Sequence, residues 1–214
     1  MKQLYLIIIW LAAFNIRPFS IAAQEVLELH LIYRECDDTY GYENNLGDTI
    51  VPYGKYLCYI PYRTLGFISK PQGDIIAISP SGTELFKVFQ FDNGPDYLSE
   101  GVFRMIGNNN KMGFADTTGH IVIPPRFDFV TPLKNGHAFF NTGGRCIPID
   151  TSREYHIISG GHWGVINKDG KEVCPPLLDS VPLKYKGKQT EIIYQKQQMT
   201  LEKAISIIKD NIKN

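Results

Sequence analysis

The residues best placed to do chemistry cluster in one variable stretch, "TGGRCIPIDTSREYHIISGG", residues 142–161. Cys146 stands there, with His156 and His162 following it. A cysteine within hydrogen-bond reach of a histidine can supply a thiolate nucleophile, the chemistry of a thiol-dependent hydrolase. Such a thiolate also needs an electropositive pocket, and "GGRCIP" carries none of the local patterns of thiol hydrolases. A half-cystine or a buried thiol is the plainer reading of Cys146, so no catalytic residue is assigned. His30, His120 and His137 fall on separate expected strands without HxH or HExxH spacing, so no metal site is expected. Cys36, Cys58, Cys146 and Cys174 form no CxxC pair; in an exported chain they can close as two disulfides in any of three connectivities. There is no GxGxxG, P-loop or GxSxG pattern, and "GNNNKMG" (107–113) shares only its polarity with a phosphate loop. The chain is therefore expected to hold no cofactor and not to be an enzyme.

Residues 1–23 place Lys2 ahead of an apolar run from Leu4 to Phe14 and end in small residues, the pattern of an export signal. The run is shorter than the ~20 residues that span a bilayer. Removing it takes away Lys2 and Arg17, leaves a formal charge of about −2, and leaves no membrane span. The expectation is an exported protein, periplasmic or extracellular. No Lys/Arg stripe is present; "KYKGK" (184–188) is short and isolated, so no nucleic-acid partner is expected.

The elements that must position any site show themselves as a repeat. "YGYENNLGDTI" (40–50), "IIAISPSGTEL" (75–85), "MGFADTTGHIV" (112–122) and "WGVINKDGKEV" (163–173) register on Gly47, Gly82, Gly119 and Gly170. Three residues before each glycine stand Asn44, Ser79, Asp116 and Asn167, short polar side chains that tie a turn. Apolar residues flank both sides, so each copy reads as a β-hairpin whose loop ends in a glycine at positive φ. Pro52, Pro124 and Pro175 follow the second strand, with Lys87 in the second copy; proline lacks an N–H and is expected to end the ladder there. A further glycine recurs at Gly66, Gly101, Gly136 and Gly187, ahead of another apolar strand. Cys174 occupies the position of Val51, Phe86 and Ile123 and reads as core. Tyr40, Phe114, Phe127 and Trp163 are also expected in the core.

These copies resemble the WG repeats of many bacterial, often exported, proteins, whose units join an aromatic-Gly step, a D/N-x-x-G turn and an I-P-P-x-Y-D segment. The resemblance covers 40 to about 190 and is best in "MGFADTTGHIVIPPRFDFVTPLKNGHAFF" (112–140) and "HWGVINKDGKEVCPPLLDSV" (162–181). Only the last copy has Trp-Gly, the first has Tyr40-Gly41, and the second has Ile75-Ile76. The resemblance implies a repetitive all-β scaffold and, usually, no catalytic machinery.

The fold expected is thus all-β: four β-hairpin units over 24–199, with copies near 40–66, 75–106, 112–141 and 162–194, in an open twisted stack or a propeller-like arrangement. "LELHLIY" (27–33) alternates apolar and polar residues and reads as a strand closing one end. At the other, residues 200–214 form an amphipathic capping helix with Thr200 as N-cap and Leu201, Ala204, Ile205, Ile208 and Ile212 on its apolar face. The 142–161 insertion is bracketed by Gly143-Gly144 and Gly160-Gly161, and its "CIPI" and "YHII" can pair as a hairpin. Insertions in repeat arrays fall on one face, often the binding face. Arg145, Arg153 and Tyr155 lie in it, outside the packing needs of the repeat, and are the expected contacts with a partner. The function that follows is a non-catalytic exported interaction module binding a protein or cell-envelope component; the alternative is a thiol-dependent hydrolase centred on Cys146.

Overall fold

A computed structural model of the chain describes residues 26–148, 156–178, 181, 184–186 and 189–213. The expected leader at 1–23, together with Arg153, Tyr155 and Gly187, lies outside the described residues.

The chain is mostly β, and each expected hairpin carries a further strand ahead of it, so the unit is a three-stranded antiparallel meander. The first comprises β1 (Leu29–Arg34), β2 (Thr39–Asn44) and β3 (Thr49–Val51). After a short β4 (Leu57–Cys58), the second comprises β5 (Gly66–Ser69), β6 (Ile75–Ile78) and β7 (Glu84–Val88). A small hairpin, β8 (Gln90–Phe91) with β9 (Gly94–Pro95), precedes the third, β10 (Val102–Ile106), β11 (Met112–Asp116) and β12 (Ile121–Phe127). After β13 (Phe129–Val130), the fourth starts with β14 (His137–Thr142). It is then interrupted by β15 (Arg145–Pro148) and β16 (His156–Ser159), and resumes with β17 (His162–Asn167) and β18 (Glu172–Leu178). A terminal sheet of β19 (Lys184–Lys186), β20 (Gln189–Tyr194) and β21 (Gln197–Thr200) leads into α1 (Leu201–Lys213).

One turn chemistry repeats at the tip of every unit. Gly47, Gly82, Gly119 and Gly170 have φ of 85°, 82°, 84° and 75°, in the left-handed region open to glycine without a Cβ clash. Their N–H groups donate to the carbonyls of Asn44, Ser79, Asp116 and Asn167. The side-chain oxygens of those four residues accept the N–H of Asp48, Thr83, His120 and Lys171 at 3.0, 3.1, 3.1 and 2.8 Å. Each of the last three turns also rests on the preceding unit's third strand, with Gly82 against Ile50, Gly119 against Leu85 and Gly170 against Ile123.

The aromatic-Gly glycine answers a different need. Along the third unit Met112 pairs with Phe127 but Phe114 with Ile123; along the fourth Trp163 pairs with Leu178 but Val165 with Cys174. The third strand therefore bulges by two residues, and the double prolines Pro124-Pro125 and Pro175-Pro176 occupy the bulge, where no ladder N–H is required. The prolines do not end the strand; it resumes to Phe127 and Leu178. The bulge presses on the middle strand, so that a Cβ on Gly113 would stand 2.3 Å from the Ile123 carbonyl oxygen. The second unit has Ile76 in place of glycine and Lys87 in place of proline, and there Ile75, Ile76 and Ala77 pair in unbroken register with Val88, Lys87 and Phe86. Gly66 differs from Gly101 and Gly136: those two hold positive φ in a turn, whereas Gly66 lies in β5 because a Cβ would meet Tyr42 and Leu29 at 2.9 and 3.0 Å.

Units join in chain order without closing into a barrel. β4 pairs with β5, β7 with β10, and β13 with β14, so each first strand after β1 receives a strand from the unit before it. Among the described residues four apolar clusters, two of them joined by Phe129, fill the junctions and the end, the nearest-neighbour packing of a repeat protein. Cys174, Val51, Phe86 and Ile123 are all buried. Phe114, Phe127 and Trp163 are buried too, but Tyr40 is not: it is 39% exposed and its ring lies tilted against that of Tyr33. β3 stops at Val51, opposite Tyr42, and beyond it the residue whose N–H donates to the Tyr40 carbonyl is Gly54, which has no side chain to cover the ring. The helix buries Leu201, Ala204 and Ile208 against the terminal cluster, with Thr200 Oγ1 accepting the Lys203 N–H. Ile212, expected on that face, is exposed, one turn past the last buried residue. All four cysteines carry free thiols.

Tyr42 staples units one and two. Its hydroxyl, wholly buried, accepts the Phe67 N–H at 3.2 Å and reaches the carbonyls of Phe67, at 2.8 Å, and Tyr59. Burial pushes its acidity well below that of an ordinary tyrosine. Tyr42→Phe is expected to cost about 2 kcal/mol, since it strands buried backbone groups. Urea denaturation reads the loss directly, and a midpoint equal to that of the parent would refute the staple.

Candidate functional site

The insertion occupies the place where units two and three carry a tight turn between their first and second strands. β14 and β17 pair through Thr142–His162, and the β15–β16 hairpin springs from that end, with Cys146 opposite Ile158 and Ile147 opposite Ile157. The glycine pairs at its base close around one buried side chain. Asn141 Oδ1 accepts the Gly144 N–H at 2.8 Å and Asn141 Nδ2 donates to the Gly160 carbonyl at 3.3 Å. A Cβ on Gly144 or Gly161 would stand 2.3 or 2.4 Å from Asn141 Oδ1.

Held in this position, the hairpin walls a cleft of about 780 Å³. Gly144, Cys146, Ile157 and Ile158 form the insertion side. Phe89, Phe91 and Tyr97, from the segment carrying β8 and β9, face it. Arg104, Ile106 and Met112 of the third unit contribute, as do Phe129, Thr131 and Trp163 from the junction with the fourth. The lining is predominantly apolar, and its volume lies within the ~300–1,000 Å³ range of ligand-sized pockets.

Among the described lining residues two are charged, and both are engaged internally. Arg104 and Asp96 have side chains 5% and 1% exposed. Arg104 donates from Nε to Asp96 Oδ2 at 2.9 Å and from Nη2 to Oδ1 at 2.6 Å, and its backbone N–H also donates to Oδ2, at 2.8 Å. The guanidinium lies 4.0 Å over the Phe89 ring, a cation–π contact. Asp128 is ion-paired with Lys111 and accepts the Gly143 N–H at 3.0 Å. The lysine, first, and then the amide hold its carboxyl below the usual aspartate range. Phe129 meets Phe89 and Trp163 edge to face, at 76° and 84°, and Phe91 meets Tyr97 at 71°.

The expected site residues divide. Arg145 is exposed on β15 and does not line the cleft, whereas its neighbour Cys146 does; Arg153 and Tyr155 lie outside the described residues. None of the eight turn residues reaches the cleft; they organise the opposite tips. Sequence reasoning missed Arg104, Asp96, Phe89 and Phe129. One signal was available: in "GVFRMI" an arginine interrupts an otherwise apolar strand, and a buried charge requires a partner. Cys58 and Cys174 are thiols pushed up to about 11 by burial. Among the described side chains that line the cleft there is no histidine. Among the described residues no three His, Cys, Asp or Glu side chains gather closely enough to hold a metal ion, and no helix is long and apolar enough to cross a membrane.

The family model of the WG containing repeat matches residues 112–146 and 163–185. The chain carries WG-containing repeats over these two stretches. The matched stretches fall on the third and fourth units, whose third strands bulge over Gly113 and Gly164, and the first of them runs on into the insertion at Cys146. The first two units lie outside the match. No curated protein and no solved structure matches the chain.

Proposed function

We propose that this protein is a non-catalytic exported interaction module that takes a protein or cell-envelope component into the cleft beside the insertion. One observation carries the reading: the insertion that breaks the repeat walls an apolar, aromatic cleft whose charges are already paired within the protein. The export pattern in residues 1–23 supports a periplasmic or extracellular setting. A photoactivatable residue placed at Ile157, which is 47% exposed on the cleft wall, is expected to give one discrete covalent adduct in cells of the source organism. The same residue at Lys168, on an exposed turn, is expected to give none. Equal, diffuse labelling from both positions would sink the proposal.

The alternative, a thiol-dependent hydrolase, is favoured by one fact, that Cys146 lines the cleft with an exposed thiol. It requires alkylation at neutral pH to be far faster at Cys146 than at Cys36, also exposed. The binding reading expects comparable rates at both, with Cys58 and Cys174 protected because they are buried.

A further inference from the structure

Resting on the cleft as the contact site, we infer that its occupant is an uncharged aromatic side chain carried by an extended segment of a partner protein. The charge argument comes first. Arg104 is neutralised by a bidentate aspartate and Asp128 by Lys111, so a charged occupant would lose its hydration and, among the described lining residues, meet no unpaired counter-charge. An uncharged one meets no such penalty.

The rings then discriminate among uncharged occupants. Phe89, Phe129 and Trp163 form an edge-to-face series, and at the rim Phe91 and Tyr97 are 50% and 48% exposed. An incoming aromatic ring extends that series through the quadrupole interactions that order it, whereas an acyl chain would gain only contact area.

The buried guanidinium adds a directional element. Arg104 spends two of its side-chain N–H groups on Asp96 and meets the Val130 carbonyl only at 3.5 Å. A guanidinium has five N–H groups, so Arg104 keeps donors for a neutral acceptor. A peptide carbonyl next to an aromatic side chain is such an acceptor; a lipid tail has none. Ring and carbonyl together describe a peptide segment.

Cys146 supplies the readout. The full chain is alkylated with iodoacetamide, and labelling at Cys146 and Cys36 is followed by mass spectrometry with and without N-acetyl-Phe-Phe-amide at millimolar concentration. The dipeptide is expected to slow labelling of Cys146 by about tenfold, the mark of roughly nine-tenths occupancy, and to leave Cys36 unchanged. N-acetyl-Asp-Asp-amide and laurate are expected to protect neither. Phe91→Asp, at a half-exposed position, abolishes the protection; if it lowers the unfolding midpoint, Ile157→Asp carries the same test. Protection by laurate alone would overturn the inference in favour of a lipid, and protection by no probe would overturn it outright. If the Ile157 crosslink captures a partner while the dipeptide fails, the cleft stands as the contact and only its occupant is wrong; if both fail, the cleft falls as well.

Discussion

Asp96→Ala is expected to remove about 3–5 kcal/mol of stability, because it leaves the Arg104 guanidinium in a site 95% withdrawn from water without its counter-charge. Set against the ~5–15 kcal/mol that holds a typical domain folded, the variant unfolds near working temperature or fails to accumulate. The cause is the orphaned charge, not the lost attraction. Replacing both partners by apolar groups of similar size, Asp96→Leu with Arg104→Met, is therefore expected to restore most of the stability. Denaturant titration of the single and double variants decides the matter. A loss below about 1 kcal/mol in the single variant would mean that water or another acceptor reaches the guanidinium, and the cleft floor would not be dry.

Gly113→Ala is expected to cost about 3 kcal/mol or more, at or above the upper end of ordinary overpacking. The new methyl would stand 2.3 Å from the Ile123 carbonyl oxygen and 2.8 Å from the Pro125 nitrogen. Both are backbone atoms, and two prolines stiffen the bulge they belong to. Gly47→Ala makes the control: its methyl meets nothing within 4 Å, so only the left-handed φ opposes it, worth about 1–2 kcal/mol. The two substitutions, compared by thermal unfolding, separate the two kinds of glycine in the WG unit. Equal losses would show that the bulge relaxes and that the aromatic-Gly step is not required by third-strand contact.

The turns were legible in the residues because their physics is local. A glycine whose φ is positive and an Asn, Ser or Asp three residues earlier complete their hydrogen bonds within five residues, so the four tips, their apolar flanks and the hairpin within the insertion could all be read along the chain. The core position of Cys174 was legible for the same reason, since register from the turn carries Val51, Phe86 and Ile123 to the same depth.

The bulge was misread because proline has two uses in a sheet, ending a ladder or sitting where none is needed. Only the register of Met112 with Phe127 and of Phe114 with Ile123 shows which applies. Tyr40 looked like its counterparts Ile75, Met112 and Trp163, yet burial depends on what lies across from a residue, and there the segment after β3 brings only Gly54.

What the sequence by itself determined, then, is the repeating unit: where each turn falls, which side chains tie it, and that an insertion follows the third copy. Tertiary structure decided what those units make together. Phe89, Arg104, Phe129, Cys146 and Trp163 become one cleft only when strands of successive units pair and the hairpin folds back beside them, and Asp96 becomes the partner of Arg104 only through the β8–β9 segment. Turn geometry is set by bonds among near neighbours, whereas a cleft is set by the packing of surfaces that the linear order keeps apart.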